Sequence, residues 1–565
     1  MQSQPAARTL RSEVALLPYP DRVTGDLVRW ARETPDTIFL AQRDGDGAGW
    51  ETIGYAAMLE RVRRIAGALL AAGGSPERPL AIVAENGIDH AAVALAAMHV
   101  GIPVSPISTG YAREDADPAR AAALFAVLQP FAAVVPDAAH VKRIAAAVPG
   151  LMIVPNLLAL DGDPAAADHA HDAVGPDTIA KILFTSGSTG TPKGVITTNR
   201  MLCANQTMLE EVWPDAIRAP VLLDWAPWSH TAAGNKNFGL VLRNGGTMYV
   251  DAGKPAPGAF DATLRNLREI APTFYFNVPR GWTLLLEALE HDEALARRFF
   301  SRVRILLNAG ASIPETLRGR LAVLAQRYAG REIPVVSAWG ATETAPMATA
   351  VWGERPASHE TIGTPVPGVE IKLAPVEDRF ELRVRGPSVT PGYWRDDAAT
   401  REAFDDEGFF KSGDAGALLD SADPSRGIVF GGRLSENFKL SSGTWVNAGL
   451  LRLDVLETGQ GTIDEIVFAG ADRDELTALV FAARALTGDP TAPERVRAVL
   501  AAHNARNPAS STRVARAVIA TDAPDAARGE ITDKGSLNQR RVLANRAAEV
   551  ARLYAASPDA AVIVP

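Results

Sequence analysis

Residues 183–195, LFTSGSTGTPKGV, gather more chemistry in a short space than any other part of this chain. Apolar residues run straight into Thr185, Ser186, Gly187, Ser188, Thr189 and Gly190, and Lys193 closes the stretch. Glycines let a loop turn successive backbone N–H groups toward an anion. The hydroxyls add donors and the lysine adds a full positive charge, so a polyphosphate is the ligand such a loop would suit. It differs from the G-x-x-x-x-G-K-[ST] loop of kinases and GTPases, because Thr191 and Pro192 separate Gly190 from Lys193 and a glycine follows the lysine. Read alone, a Ser/Gly-rich stretch is also compatible with a solvated connector.

Positioning such a loop requires a strand before it, and the residues around it supply the pattern. Residues 58–72 carry apolar side chains at helical spacing and stop at Gly73-Gly74. Short apolar runs at 79–84, 101–106, 131–135, 180–184, 221–225 and 247–250 read as strands, separated by helix-length segments such as 89–99. That alternation predicts parallel sheets covered by helices, with ligands at the carboxyl ends of the strands. Shorter strands are expected at 381–385 and 427–430. Beyond residue 433, strands at 465–469, 476–483 and 516–520 and a helix near 493–502 predict a small α+β unit. The fold class is therefore α/β: a large N-terminal domain of parallel-rich sheets flanked by helices, plus a small α+β C-terminal domain.

Bulk properties narrow the function. A chain of 565 residues exceeds the usual single domain, and 47 % apolar with 22 % charged residues is globular. A net charge of −9 argues against electrostatic binding of nucleic acid. One cysteine, Cys203, excludes an internal disulfide framework. The first twenty residues lack the apolar core of a signal peptide, and no run of about 18 apolar residues predicts a membrane span. A cytoplasmic protein, monomer or homodimer, is expected.

Further motifs follow the loop in order: WAPWSH with His230, NAGASIP with Ala309, Gly310 and Ala311, SAWGATET with Trp339, Gly340, Thr342 and Glu343, IGTPVPG, PGYW, GFFKSGDAG with Asp414, and Gly432-Arg433. Together with the loop they resemble the adenylate-forming superfamily, which includes acyl-CoA synthetases, peptide-synthetase adenylation domains and beetle luciferases. The resemblance runs from about residue 25 to the end. It implies that the 183–195 loop grips pyrophosphate and that residues 309–311 border adenine. Trp339 stands where tyrosine is commoner. Thr342 would bond phosphate, Glu343 would hold Mg²⁺, whose hardness calls for carboxylate oxygen, and Asp414 with Arg433 would hold the ribose. His230 would line the passage to the acyl pocket. The IGTPVPG and PGYW turns are expected to be mainly architectural. The implied cofactors are ATP, Mg²⁺ and coenzyme A, and the implied domains are 1–432 and 433–565, with a hinge near 433–436.

Two C-terminal motifs depart from the superfamily pattern. At the hinge, GRLSENFKLSSGTWVN puts Ser435 and Glu436 where a Lys/Asp pair is usual, keeps Lys439 and brings Gly443 one residue late. Near the end, ITDKGSLNQRR puts Ser536 at the usual position of a lysine that stabilises charge developing during adenylation, and Lys534 lies two residues earlier. Loss of one such donor costs on the order of 3 kcal/mol, so Lys534 is read as the shifted catalytic lysine. Both unusual motifs look like the feruloyl-CoA synthase branch, which implies an aromatic, hydroxycinnamate-like acid. Candidates for its pocket are Trp228, His230, Asn235, Lys236, Asn237 and Phe276; the three polar residues 235–237 interrupt what otherwise reads as an apolar helix start and could equally cap it. The expected reaction joins a small carboxylic acid to ATP, then passes the acyl group to CoA while Lys439 faces the thiol. Ligation of another acid, transfer to a carrier protein, and a non-catalytic nucleotide-binding regulator are the alternatives.

Overall fold

Short strands buried on both faces carry this fold. In the computed structural model, residues 7–45, 47–156, 161–185, 192–256, 258–309, 313–353, 361–459, 461–525, 528–531, 537–555, 557 and 560–565 are described. One six-stranded sheet has the order Ile153–Val154, Ala132–Val134, Leu80–Val83, Val104–Ile107, Ile179–Thr185, Lys193–Thr198. Its central strands are wholly buried, which is why they appear in sequence as continuous apolar runs rather than alternating ones. The helix Ile88–His99 lies so deep that nearly every residue is covered, whereas Tyr55–Ala71 buries a stripe of Met58, Val62, Ile65, Ala66 and Leu69.

A second sheet orders Phe274–Asn277, Ile305–Asn308, Val335–Gly340, Met347–Ala350 and Thr364–Pro365. Its first three strands are parallel, Asn277 beside Asn308 and Asn308 beside Ser337, so the first two end level and the third runs on to Gly340. A four-stranded sheet (Val221–Asp224, Thr247–Val250, Ile38–Arg43, Trp50–Gly54) abuts it, the Thr273 N–H donating to the Val221 carbonyl at 2.9 Å. A five-stranded antiparallel sheet, from Arg8–Arg11 through Glu370–Val376, Arg379–Arg385 and Phe410–Leu418 to Ile428–Arg433, completes this part.

The expected alternation of strand and helix holds through the first 310 residues, but pairing is mixed at the sheet edges. Thr185 and Lys193 face each other across an antiparallel hairpin. The connection between them is too short for a helical crossover, so the chain must return antiparallel.

After Arg433 a small hairpin, Phe438–Lys439 with Trp445–Val446, leads into a four-stranded sheet of Ile463–Ala469, Thr477–Ala482, Arg516–Ile519 and Val562–Ile563. The helices Ala448–Thr458 and Ala492–Arg506 cover it, and Leu451, Val455, Ile466, Phe468, Val496 and Leu500 form a core of their own. Among the described residues, no helix is long and apolar enough to cross a membrane.

Candidate active site

The hairpin delivers Thr185 at the end of one strand and Lys193 at the start of the next. The loop residues Ser186, Gly187, Ser188, Thr189 and Gly190 lie outside the described residues, as do Gly310 and Ala311. Lys193 Nζ stands 5.1 Å from the centre of the Tyr393 ring. The Tyr393 hydroxyl in turn donates to Glu343 Oε1 at 3.0 Å. Val195 pairs with Tyr393, and the Trp394 N–H donates to the Gly194 carbonyl at 2.7 Å, so the PGYW turn is stitched along the phosphate hairpin. Burial, then the Glu343 carboxylate, pushes the Tyr393 hydroxyl far above its ordinary titration range, so it stays a proton donor. PGYW therefore does more than shape the fold: Tyr393 joins the lysine of one motif to the glutamate of another.

Glu343 sits in the short helix Thr342–Thr344, just past the strand Val335–Gly340. The sharp exit needs Gly340, since a Cβ there would lie 1.6 Å from the Pro346 carbonyl. Thr342 is buried beside Glu343. Tyr393 bonds one Glu343 oxygen, and the other has no hydrogen-bond partner among the described residues. No cluster of three or more metal-ligating side chains occurs among the described residues. That donor set fits Mg²⁺, which keeps water and substrate phosphates as most of its ligands and takes one carboxylate from the protein.

On the facing sheet, Asp414 lies opposite Arg433, with Nε to Oδ1 at 3.0 Å. The Trp339 indole N–H donates to Asp414 Oδ2 at 2.9 Å. Burial raises the Asp414 carboxyl above its ordinary value, while Arg433 and the indole pull it back and the nearby Glu343 adds repulsion. Tryptophan at position 339 thus acts through its edge, clamping the carboxylate. Ala309, whose N–H donates to the Asn277 carbonyl at 3.3 Å, starts the connection at the level strand ends.

Most of the residues expected on the acyl side lie in the segment 225–238. Asn86, in the turn after the strand Leu80–Val83, bonds this loop twice, from Nδ2 to the Ala226 carbonyl (2.8 Å) and from the Trp228 N–H to Oδ1 (2.9 Å). Trp228 packs edge-on to His90 and Phe238 inside the main core. His230 ends the loop, and its carbonyl accepts from Ala233 and Gly234. Thr231–Asn237 then winds as a π-helix, a wider coil that places side chains away from α-helical positions. Its width requires Gly234, where a Cβ would lie 2.1 Å from the Trp228 carbonyl.

Of the three polar residues in this turn, Asn235 donates to Thr231 Oγ1 at 3.1 Å and Asn237 to Asp224 Oδ2 at 2.9 Å. Asn235 also borders a cavity of about 20 Å³ with Lys181, Gln206 and Cys203, room for one water molecule. Lys236 points elsewhere, with Nζ 4.2 Å from the Phe276 ring centre and 5.6 Å from that of Phe274. Burial pushes both Lys181 and Lys236 down to about 7.

In the C-terminal part, Ser435 and Glu436 are exposed next to Arg433. Lys439 Nζ pairs with Glu377 Oε2 at 2.6 Å and lies 4.7 Å from the Trp445 ring centre, against the Glu377-Asp378 turn rather than in the phosphate site. Gly443 turns with φ +78° at the tip of that hairpin. Lys534 and Ser536 lie outside the described residues. Their flanks are anchored: Ile531 bridges Leu537, buried Glu530 makes a two-point ion pair with Arg546, and Gln539 Nε2 donates to the Glu436 carbonyl at 3.3 Å.

The family model described as AMP-binding enzyme matches residues 27–394, and that of the AMP-binding enzyme C-terminal domain matches 437–558. This chain belongs to the AMP-binding enzyme family. It is an AMP-forming acyl-CoA ligase of the adenylate-forming superfamily, using ATP, Mg²⁺ and CoA, and it is feruloyl-CoA synthase-like. A feruloyl-CoA synthase from an Amycolatopsis species is 31 % identical over 411 residues, 69 % of this chain and 75 % of that one. A 3-[(3aS,4S,7aS)-7a-methyl-1,5-dioxo-octahydro-1H-inden-4-yl]propanoyl:CoA ligase from Rhodococcus jostii is 26 % identical, covering 71 % and 78 %. ATP-bound MatB from Rhodopseudomonas palustris shares the fold, with a TM-score of 0.69 at 22 % identity over 93 % of this chain and 99 % of that one. The A domain of carboxylic acid reductase from Segniliparus rugosus does so with a TM-score of 0.71 at 20 % identity, covering 94 % of each.

In this ligase, the residues least visible in sequence are those that tie motifs together. Tyr393 and Asn86 are the main ones. The only signals were a tyrosine set between glycine and tryptophan, and an Asn-Gly turn directly after a buried strand.

Proposed function

We propose that this AMP-binding enzyme ligates a hydroxycinnamate-like aromatic acid to CoA through an acyl-adenylate. The observation that supports the reading most is the joining of Lys193 to Glu343 through Tyr393 and of Trp339 to the Asp414–Arg433 pair; Lys236, Phe274 and Phe276 pack together in the buried interior. The relatives named feruloyl-CoA synthase favour the aromatic substrate over an aliphatic one.

On this reading the domains are 1–432 and 433–565. Residues 185–190 and Lys193 grip the β- and γ-phosphates and Thr342 bonds the α-phosphate. Asp414 and Arg433 fix the ribose, and Ala309, Gly310, Ala311 and Trp339 border the base. Glu343 would hold Mg²⁺, which supplies positive charge to the phosphate oxygens. His230 stands at the passage from nucleotide to acyl pocket. The acid's carboxylate oxygen attacks the α-phosphorus and pyrophosphate leaves. Lys534 offsets the charge that accumulates on the non-bridging oxygens, in a site where a preorganised donor is worth about 3 kcal/mol. The C-terminal domain then turns about residues 433–436, carrying Lys534 away and bringing Lys439 and Gly443 to the thiol channel. The CoA thiolate attacks the acyl carbon and AMP departs. Activation is needed because a carboxylate is a poor electrophile without a leaving group.

Pyrophosphate release and CoA-thioester formation with ferulate, ATP and Mg²⁺ test the reading. Turnover confined to aliphatic acids overturns the aromatic assignment, and pyrophosphate release without CoA consumption points to a carrier-bound thiol. Lys534→Ala is expected to abolish acyl-AMP formation, about a hundredfold or more, yet leave thioester formation from supplied acyl-AMP nearly intact. Normal adenylation by that variant would overturn the role of Lys534.

A further inference from the structure

Lys236 is 3 % exposed, and its Nζ has no hydrogen-bond partner among the described residues. Buried ammonium groups are ordinarily paired, because desolvation without compensation is costly. The contrast with its neighbour is instructive: Lys181, equally buried, donates to the Gly234 carbonyl at 2.5 Å. Asp224, the acid whose charge acts on Lys236, has both oxygens engaged, one with the Asn237 amide (2.9 Å) and one with the Ala226 N–H (3.3 Å). The Lys236 backbone is held as well, since Gln206 Nε2 donates to the carbonyls of Asn235 (3.0 Å) and Lys236 (3.3 Å). A fixed backbone, an unpartnered amine and two phenylalanine rings therefore meet at one point. That point adjoins Phe276, one residue short of the carboxyl end of the strand Phe274–Asn277, at the level where the neighbouring strand passes into Ala309.

We propose that Lys236 is the specificity-determining residue of the acyl pocket and binds a phenolic hydroxyl at the end of the substrate remote from its carboxylate. This rests on the acyl-ligase reading above and names the chemical feature that selects the acid. The surroundings discriminate between oxygen types. A second carboxylate would bring another negative charge toward buried Asp224. A phenol is neutral, and it can accept from an ammonium or donate to an amine, so it is matched whichever protonation state Lys236 holds. Its ring supplies a flat apolar partner for Phe274 and Phe276. The π-helix is what aims Lys236 at this place, while Asn235 and Asn237 turn to Thr231 and Asp224.

The test compares full-length wild type with Lys236→Met and Lys236→Gln on matched acids, 4-hydroxycinnamate against cinnamate and 6-hydroxyhexanoate against hexanoate, following CoA-thioester formation. Wild type is expected to favour the hydroxylated aromatic acid by about tenfold to a hundredfold in kcat/KM, the range for a hydrogen bond to a charged group. Lys236→Met should erase that preference, read as the ratio of kcat/KM within each matched pair; Lys236→Gln, which keeps a donor and serves should the Met variant fail to fold, should retain part of it. A preference for the hydroxylated acid that depends on Lys236 only in the aliphatic pair would support the lysine as a distal-oxygen reader and overturn the aromatic reading. An unchanged selectivity ratio in both variants, an equal fall for hydroxylated and plain acids, or no preference in either wild-type pair overturns the proposal.

Discussion

Tyr393 shows how much of this site hangs on single side chains that carry no charge. Its ring lies under Lys193 and its hydroxyl holds one oxygen of Glu343. Tyr393→Phe keeps the ring and removes the donor, so the Glu343 carboxylate loses one orienting bond. A hydrogen bond to a charged group is worth about 1.5–3 kcal/mol. The expected outcome is a roughly tenfold or greater loss in kcat/KM for ATP, with a higher Mg²⁺ concentration needed for half-maximal rate. Titrating Mg²⁺ in a pyrophosphate-release assay checks it, and an unchanged Mg²⁺ dependence would remove Tyr393 from the metal-binding arrangement. The residues assigned on the proposed reading to phosphate and cation, Lys193 and Glu343, were legible in the chain because their neighbours form distinctive strings. Tyr393 was not, because an aromatic in a Gly-rich turn is equally suited to packing, and only its distance to Glu343 separates the two.

At the scale of elements, strands were the most readable part. Residues 247–250 form a strand with those bounds, and the runs at 79–84, 131–135 and 465–469 differ from the observed strands by one or two residues. Continuous apolar runs bounded by turns leave little choice of structure. The π-helix was not readable, because one extra residue per turn is decided by the close approach of Gly234 to Trp228 and by the bonds from Gln206 and Lys181, all supplied from elsewhere in the fold. The C-terminal tail depends on an equally non-local device. Burial pushes the Glu530 carboxyl up, but the Arg546 guanidinium and the Asp525 N–H more than offset this and hold it below its ordinary 4.5. A carboxyl with a depressed folded value stabilises the fold above the unfolded value and loses that contribution as pH falls through the folded one. Removing one partner of a buried pair costs about 3–5 kcal/mol. Arg546→Met should therefore destabilise the C-terminal unit by that amount at pH 7, and the gap from wild type should narrow below about pH 4.5. Denaturant unfolding at the two pH values measures this; a gap that stays constant would show that the ion pair is not its source.

For the whole molecule, on the proposed two-step reading, the contact between the two parts is a control on which half-reaction is favoured. Lys439 pairs with Glu377, the Trp445 indole donates to Asp378, and Arg379 stacks on Trp445 at 4.0 Å, so the C-terminal hairpin docks on one exposed turn of the N-terminal part. Both members of the Lys439–Glu377 pair are half exposed, and such a contact is worth no more than about 1 kcal/mol. Weak docking suits a part that, on the proposed reading, turns between the two half-reactions. The double variant Glu377→Gln, Asp378→Asn should speed thioester formation from supplied acyl-AMP a few fold relative to acyl-AMP formation, and added salt should shift wild type in the same direction. Single-turnover rates of the two half-reactions test this, and a parallel change in both would show that the turn does not govern the balance.

From its sequence alone this chain is recognisable as similar to adenylating ligases, because the motifs that the resemblance assigns to phosphate, cation and ribose, at 185–190, Glu343, Asp414 and Arg433, are short local strings. What those groups touch was decided only by the tertiary structure. Tyr393 meets Glu343 across 50 positions, Trp339 meets Asp414 across 75, and Lys236 finds Phe276 across a sheet edge. Local strings record the chemistry of a site because ligand contacts are made by neighbouring atoms on one loop. Selectivity is made by side chains from separate elements converging on one volume, and that convergence exists only once the core has packed.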